Sequence, residues 1–153
     1  MQHPFFWPPE KRLNFLCDCS DHWEREPRDP PSYLLQRLES FALDVIVDPD
    51  HPHRAPDFLA KLDRKFIDTL GKQRKYTGDR MLDLLRALRN KKNHYEDMPL
   101  DVQARVGPLP DGYLGYWTTR FPRLLMACYL AVVETGLQGE PRFRPYFGEV
   151  AAS

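Results

Sequence analysis

Apolar positions recur along this chain at steps of three and four, the spacing that puts them on one face of an α-helix. Leu16, Cys19 and Trp23 form the first such stripe, behind Pro8 and Pro9, which suit a first helical turn. "PRDPP" ends it. A second helix is predicted from near Ser32, with Leu34, Leu35, Leu38, Phe41 and Ala42 on one face, and "DVIV" either closes that helix or forms a short extended piece. "DPDHPHRAP" (48–56) reads as loop, because each proline removes a backbone donor and pushes its predecessor out of the helical region. Asp57 suits the cap of a third helix carrying Leu59, Leu62, Phe66 and Leu70. "GKQRKYTG" interrupts. A clearer helix starts at Asp79 with Met81, Leu84, Leu85 and Leu88, and a short one follows between Pro99 and Gly107. Another runs from about Asp111 towards Arg120. The most apolar helix carries Leu124, Leu125, Cys128, Tyr129, Val132 and Val133 and stops near Gly136. Alternation of the strand type is missing, and so is any internal repeat. The pattern predicts an all-α, compact single domain of about six helices, with a ragged tail after the last.

Composition fits a globular domain: of 153 residues, 42% are apolar and 29% charged. Three cysteines are unsuited to a disulfide framework and compatible with a reducing compartment. No apolar run approaches the roughly 20 residues that span a bilayer. Net charge is zero, but its distribution is uneven. Lys61 to Tyr95 holds eleven Lys/Arg against four acids, and Glu24 to Asp57 reverses the balance with eight acids and four bases. Such asymmetry predicts a local positive field, with a solvated helix face as the plain alternative.

Several chemistries fall away. "CDCSDH" (17–22) invites zinc, but on a helix Cys17 and Cys19 sit about 200° apart, and no second ligand pair follows. The acids are too dispersed for a two-metal nuclease, and neither a phosphate-binding glycine loop nor a GxSxG elbow is present. No metal and no cofactor are expected. What remains is "RALRNKKNHYEDMP" (86–99). If the helix from Asp79 runs one turn further, Asn90 and His94 stand at i and i+4, with Arg86 a turn earlier and Arg89 beside them. Asn offers a donor and an acceptor, Arg a planar fork for phosphate oxygens, and His a proton exchangeable near neutral pH. Tyr76, in the basic loop before the helix, can add a phenol. These are the parts of metal-free RNA cleavage, in which the substrate's 2′-hydroxyl is the nucleophile and the protein orients it, neutralises charge and protonates the departing oxygen. On the residues alone, a helix C-terminus whose cations suit its dipole stands as the competing reading.

The run from Tyr76 to Glu134, above all "DLLRALRNKKNHY", "LPDGY" and "RFPRLL", resembles the kinase-extension nuclease domain of the inositol-requiring sensors of the unfolded-protein response, with ribonuclease L as a more distant relative. The similarity extends more weakly back through "KLDRKFIDTLGKQRKY" to "HPFFWPPEKRLNFLCDCSD". The resemblance implies residues 1–8 as the end of a kinase C-lobe and its junction, 9–147 as the nuclease domain and 148–153 as a tail. His94 matches the family's general acid, and Tyr76 a catalytic tyrosine that assists deprotonation or holds the phosphate. Asn90 and Arg89 match the pair on the scissile phosphate. Lys91 matches a basic position beside them, and Lys92, Asn93, Arg86, Lys75 and Arg74 are the further residues expected to meet RNA. The implied reaction is metal-independent endoribonuclease cleavage of a stem-loop in the mRNA of a stress transcription factor, leaving a 2′,3′-cyclic phosphate and a 5′-hydroxyl and so initiating unconventional splicing. The implied partners are that RNA, a weak back-to-back homodimer and a kinase domain in the same polypeptide. The implied place is the cytosolic face of the endoplasmic reticulum membrane, with this soluble chain as a fragment. The runner-up is a non-catalytic helical module that docks RNA or a partner protein.

Overall fold

Helix α1 (Pro9–Glu24) begins where Pro8 and Pro9 place it and buries Leu13, Phe15, Leu16, Cys19, Ser20 and Trp23. That face is wide because α1 is covered on more than one side. Its most extensive neighbour is α5 (Met81–Asn93), and it also meets α7 (Asp111–Arg120) and α8 (Leu124–Glu134). The structure, a computed structural model, describes residues 3–46, 58–68 and 78–148. Among them are six helices of seven residues or more, completed by α2 (Tyr33–Glu39) and α6 (Leu100–Val106). Three four-residue helices are α3 (Ala42–Val45), α4 (Arg64–Ile67) and α9 (Arg144–Phe147). No β-strand occurs among the described residues, so the all-α expectation holds. No described helix is long and apolar enough to cross a membrane.

Local signals set many of the boundaries. The Ser32 hydroxyl accepts from the Leu35 amide at 3.1 Å and caps α2. Gly107, at φ +111°, ends α6 with its Cα so close to Gly112 that a Cβ would lie 2.8 Å from the Gly112 Cα. Of "DVIV", Asp44 and Val45 belong to α3 and Ile46 is its C-cap, while Val47 lies outside the described residues.

Two expectations fail. The single helix predicted over Leu59–Leu70 is broken into a 3-10 turn, Phe58–Lys61, and α4, while Asp57 and Leu70 lie outside the described residues. The break is held by tertiary bonds. The Asp63 amide donates to the Tyr116 hydroxyl at 2.6 Å, its carboxylate caps α4 at the Phe66 amide, and Arg120 Nε donates to the Lys61 carbonyl at 2.9 Å. The ragged tail is instead ordered through Gly148. Phe143 is wholly buried, with its ring 6.0 Å from that of Phe15, and Tyr146 lies 5.1 Å from Phe15 and 5.8 Å from Trp7. The segment after α8 thus packs against α1.

A second aromatic group fixes α5. Phe66 packs among Tyr95, Tyr113, Tyr116 and Trp117 at centroid distances of 5.2–6.4 Å. The Tyr113 hydroxyl donates to the Leu88 carbonyl at 2.5 Å, tying α7 to the half of α5 that carries the candidate site.

Candidate active site at the end of helix α5

Helix α5 is capped from outside itself. Arg80 supplies no side-chain cap, and both oxygens of the Glu39 carboxylate, from α2, accept from the Met81 and Leu82 amides at 2.8 and 3.0 Å. At the other end the helix stops at Asn93, and His94 is its C-cap, with its amide donating to the Asn90 carbonyl at 3.2 Å. The chain is pinned directly afterwards. Tyr95 is buried, and its hydroxyl donates to the Gly107 and Gln103 carbonyls at 2.5 and 3.1 Å. His94 itself is half-buried, outside the hydrophobic interior and one helical turn beyond Asn90.

Arg89, Asn90 and Asn93 line one open cavity of about 340 Å³ together with Cys17, Asp18 and Asp21 of α1. The structure therefore gathers three of the expected residues in one place, with His94 next along the chain but not part of that lining. Tyr76, Lys75 and Arg74 lie outside the described residues. Lys92 is half-buried and close enough to Cys17 to influence its ionisation. Two expectations are corrected. Lys91, expected on an outer surface beside the phosphate, is buried at 7% exposure, because α5 is covered on more faces than its leucine stripe alone requires. Arg86 does not join Asn90. It reaches Glu24 at 3.3 Å and Asp83 at 3.7 Å, and lines a different cavity of about 680 Å³ between α2 and the start of α5.

The charge of the basic run is largely answered by α1. Arg89 Nη1 meets Asp21 at 3.0 Å and its Nη2 meets Glu24, which also holds Arg86. Asp21 in turn accepts from Arg142 and, at 3.3 Å, from Arg25. Of the basic residues expected to raise a positive field, Arg86 and Arg89 are thus paired with α1 carboxylates, while Lys72, Arg74 and Lys75 lie outside the described residues. Asp21 is held below the usual carboxylate range, first by the Arg142 hydrogen bond, against the opposing effect of its burial. The Cys17 thiol is pushed up to about 11 by burial, with Lys92 and Arg89 pulling it down and Asp18 pushing it further up. Cys19, wholly buried, has its pKa raised by burial and by a hydrogen bond with Cys128, the core role expected for it. Among the described residues no group of three or more His, Cys, Asp or Glu side chains is arranged to hold a metal ion.

Cys17, Asp18 and Asp21 are the cavity residues that sequence reasoning missed. A signal was present: Asp18, Asp21 and Glu24 recur every three residues along α1, an acidic stripe that needs a basic partner element.

Comparison with known proteins bears on what this arrangement does. The family described as ribonuclease 2-5A matches residues 12–147. A serine/threonine-protein kinase/endoribonuclease of Aspergillus fumigatus is 57% identical over 150 residues, covering 98% of this chain and 12% of the relative. One of the same description from Hypocrea jecorina is 55% identical, covering 96% of this chain and 11% of the relative. A sensor for unfolded proteins in the ER from Schizosaccharomyces pombe is 44% identical, covering 95% and 13%. The chain thus spans only about an eighth of the length of the curated relatives it matches.

Proposed function

The chain belongs to the ribonuclease 2-5A family, and from that premise we propose that it is a metal-independent endoribonuclease domain acting on stem-loop RNA. The observation that carries this reading is the family match over residues 12–147, which takes in the helix end bearing Arg89, Asn90 and His94.

In the proposed reaction the 2′-oxygen of the substrate attacks the adjacent phosphorus, and its proton leaves to solvent or to a base. The bond from phosphorus to the 5′-oxygen breaks. That oxygen takes a proton from His94 and departs as a 5′-hydroxyl, and the phosphate remains as a 2′,3′-cyclic diester. Asn90 orients a phosphate oxygen. Arg89 has five N–H donors and gives at least two to Asp21 and Glu24, so the remaining ones serve charge that develops on the phosphate. Tyr76 is assigned to holding the phosphate, since an ordinary phenol is a poor base at neutral pH. Proton transfer from a placed imidazole contributes roughly 10²- to 10⁴-fold. Recognition of an unpaired loop suits the way proteins read RNA sequence.

The wider setting is part of the same proposal. The names of the relatives join a kinase and an endoribonuclease, and one relative is a sensor for unfolded proteins in the ER. We place this chain after a kinase in a longer polypeptide, with residues 1–8 as the junction, acting in the unfolded-protein response at the cytosolic face of that membrane and pairing weakly with a second copy. The docking-module reading is the weaker one, because the family that matches residues 12–147 is a ribonuclease and the similar proteins are named endoribonucleases.

The test is direct. A synthetic RNA hairpin incubated with the chain in EDTA should yield products ending in a cyclic phosphate and a 5′-hydroxyl. His94→Ala should slow that cleavage by at least about 10²-fold while leaving the melting temperature and RNA binding nearly unchanged. Cleavage that persists in His94→Ala, or that needs added magnesium, sinks the assignment.

A further inference from the structure

The acidic residues in the candidate cavity are unexpected in a site built for phosphate, and the segment after α8 accounts for them. It reaches both. Tyr146 donates its hydroxyl to Asp18, and Arg142 donates Nη1 to the Asp21 Oδ2. Asp21 Oδ1 faces the other way and accepts from Arg89 Nη1 at 3.0 Å. One carboxylate therefore sits between two guanidinium groups, one from the last fifth of the chain and one from the proposed phosphate site.

We propose that Arg142 is a positioning residue for Arg89: by holding one oxygen of Asp21 and cancelling its charge, it aims the other oxygen so that Arg89 stays presented to the cavity. The inference rests on the endoribonuclease reading above. Arg25 also reaches Asp21, but its side chain is 71% exposed, against 28% for Arg142. An exposed pair of this kind contributes little, since water screens it and the long side chain loses freedom in making it. Arg142 has the firmer anchor. Its neighbour Phe143 is wholly buried against Phe15 and His22, and the Phe143 amide donates to the Glu140 carbonyl at 2.9 Å. The lowered pKa of Asp21, caused first by the Arg142 hydrogen bond, agrees with this order of strengths. Without Arg142 the carboxylate regains rotation about its last bond, and its charge stands next to the place where a phosphate must bind.

The experiment measures cleavage of the RNA hairpin by the 153-residue chain and by Arg142→Gln, Arg142→Lys, Asp21→Asn and the Asp21→Asn/Arg142→Gln pair. Arg142→Gln is expected to lower kcat about tenfold with KM changed less than about twofold, and to change the rate less than about twofold when Asp21 is already Asn. Arg142→Lys, which keeps the charge without the fork, should fall between the parent and Arg142→Gln, and it carries the test if the Gln variant folds poorly. An equal loss from Arg142→Gln in the Asp21→Asn background would mean that Arg142 touches RNA directly and would overturn the proposal. So would no loss in the parent background. A second readout does not depend on activity: NMR of the Arg89 guanidinium should show slowed rotation in the parent and faster rotation in Arg142→Gln. If the parent cleaves nothing, the functional reading fails, while this signal still reports whether Arg142 governs Arg89; unchanged rotation overturns that too.

Discussion

Arg89 and Cys17 face the same cavity, yet the protein treats them in opposite ways. The guanidinium is held by two carboxylates, which fixes it in place at the cost of nearby negative charge. The thiol is left to desolvation, which outweighs the pull of Lys92 and Arg89. A thiol pushed up to about 11 is only about one part in a thousand ionised at pH 8. Cys17 should therefore react with iodoacetamide far more slowly than a peptide thiol at pH 8, and its rate should climb steadily as pH rises towards 11. Mass spectrometry of the labelled chain checks this; labelling at the peptide rate at pH 8 contradicts it. Lys91 and Asn93 show why residue type alone misplaces side chains. Both stand in one polar run, but helical geometry turns Lys91 into the domain and Asn93 out to the cavity.

Helix α5 is controlled at its ends by other elements. Its start has no cap of its own, so two amides depend on Glu39 of α2. Burial pushes Glu39 above the usual carboxylate range, and those two N–H groups oppose the rise. Glu39→Ala should destabilise the chain by about 1–2 kcal/mol, the usual cost of a lost helix cap, and Glu39→Gln by less because one acceptor survives. Urea unfolding followed by circular dichroism measures both; equal stability of Glu39→Ala and the parent would remove the cap from the account. The far end is set by Tyr95, whose hydroxyl bonds to the close of α6 fix the direction in which His94 leaves the helix.

Across the whole molecule, ion pairs join segments far apart in sequence: Asp21 with Arg89 and Arg142, and Asp63 with Arg105 at 2.9 Å. Asp21 and Asp63 are both held below the usual carboxylate range, chiefly by Arg142 and Arg105. A carboxylate lowered in the folded state gives its full stabilisation above the unfolded value of about 3.9 and loses it as pH falls through the folded value. Glu39, raised rather than lowered, runs in the opposite sense and softens the trend. The melting temperature should thus begin to fall below about pH 4, and Asp21→Asn should flatten that fall. A melting temperature that stays level down to pH 2 would refute the linkage.

How much of this was legible in the sequence depends on the range of the interaction. Apolar spacing placed α1, α2, α5 and α8 to within a few residues, and proline and glycine punctuation placed α6, because a helix, its buried face and its ends are set by neighbours a few positions away. Ser32, Gly107 and Gly136 punctuated them for equally local reasons. The polar run at 86–94 could likewise be read as a candidate site. Periodicity could not foresee the broken helix at Asp63, the ordered segment 137–147, the burial of Lys91 or the carboxylates on Arg89. The break at Asp63, the seating of segment 137–147 and the carboxylates on Arg89 each depend on a partner dozens of residues away, and only the folded chain brings such partners within bonding distance.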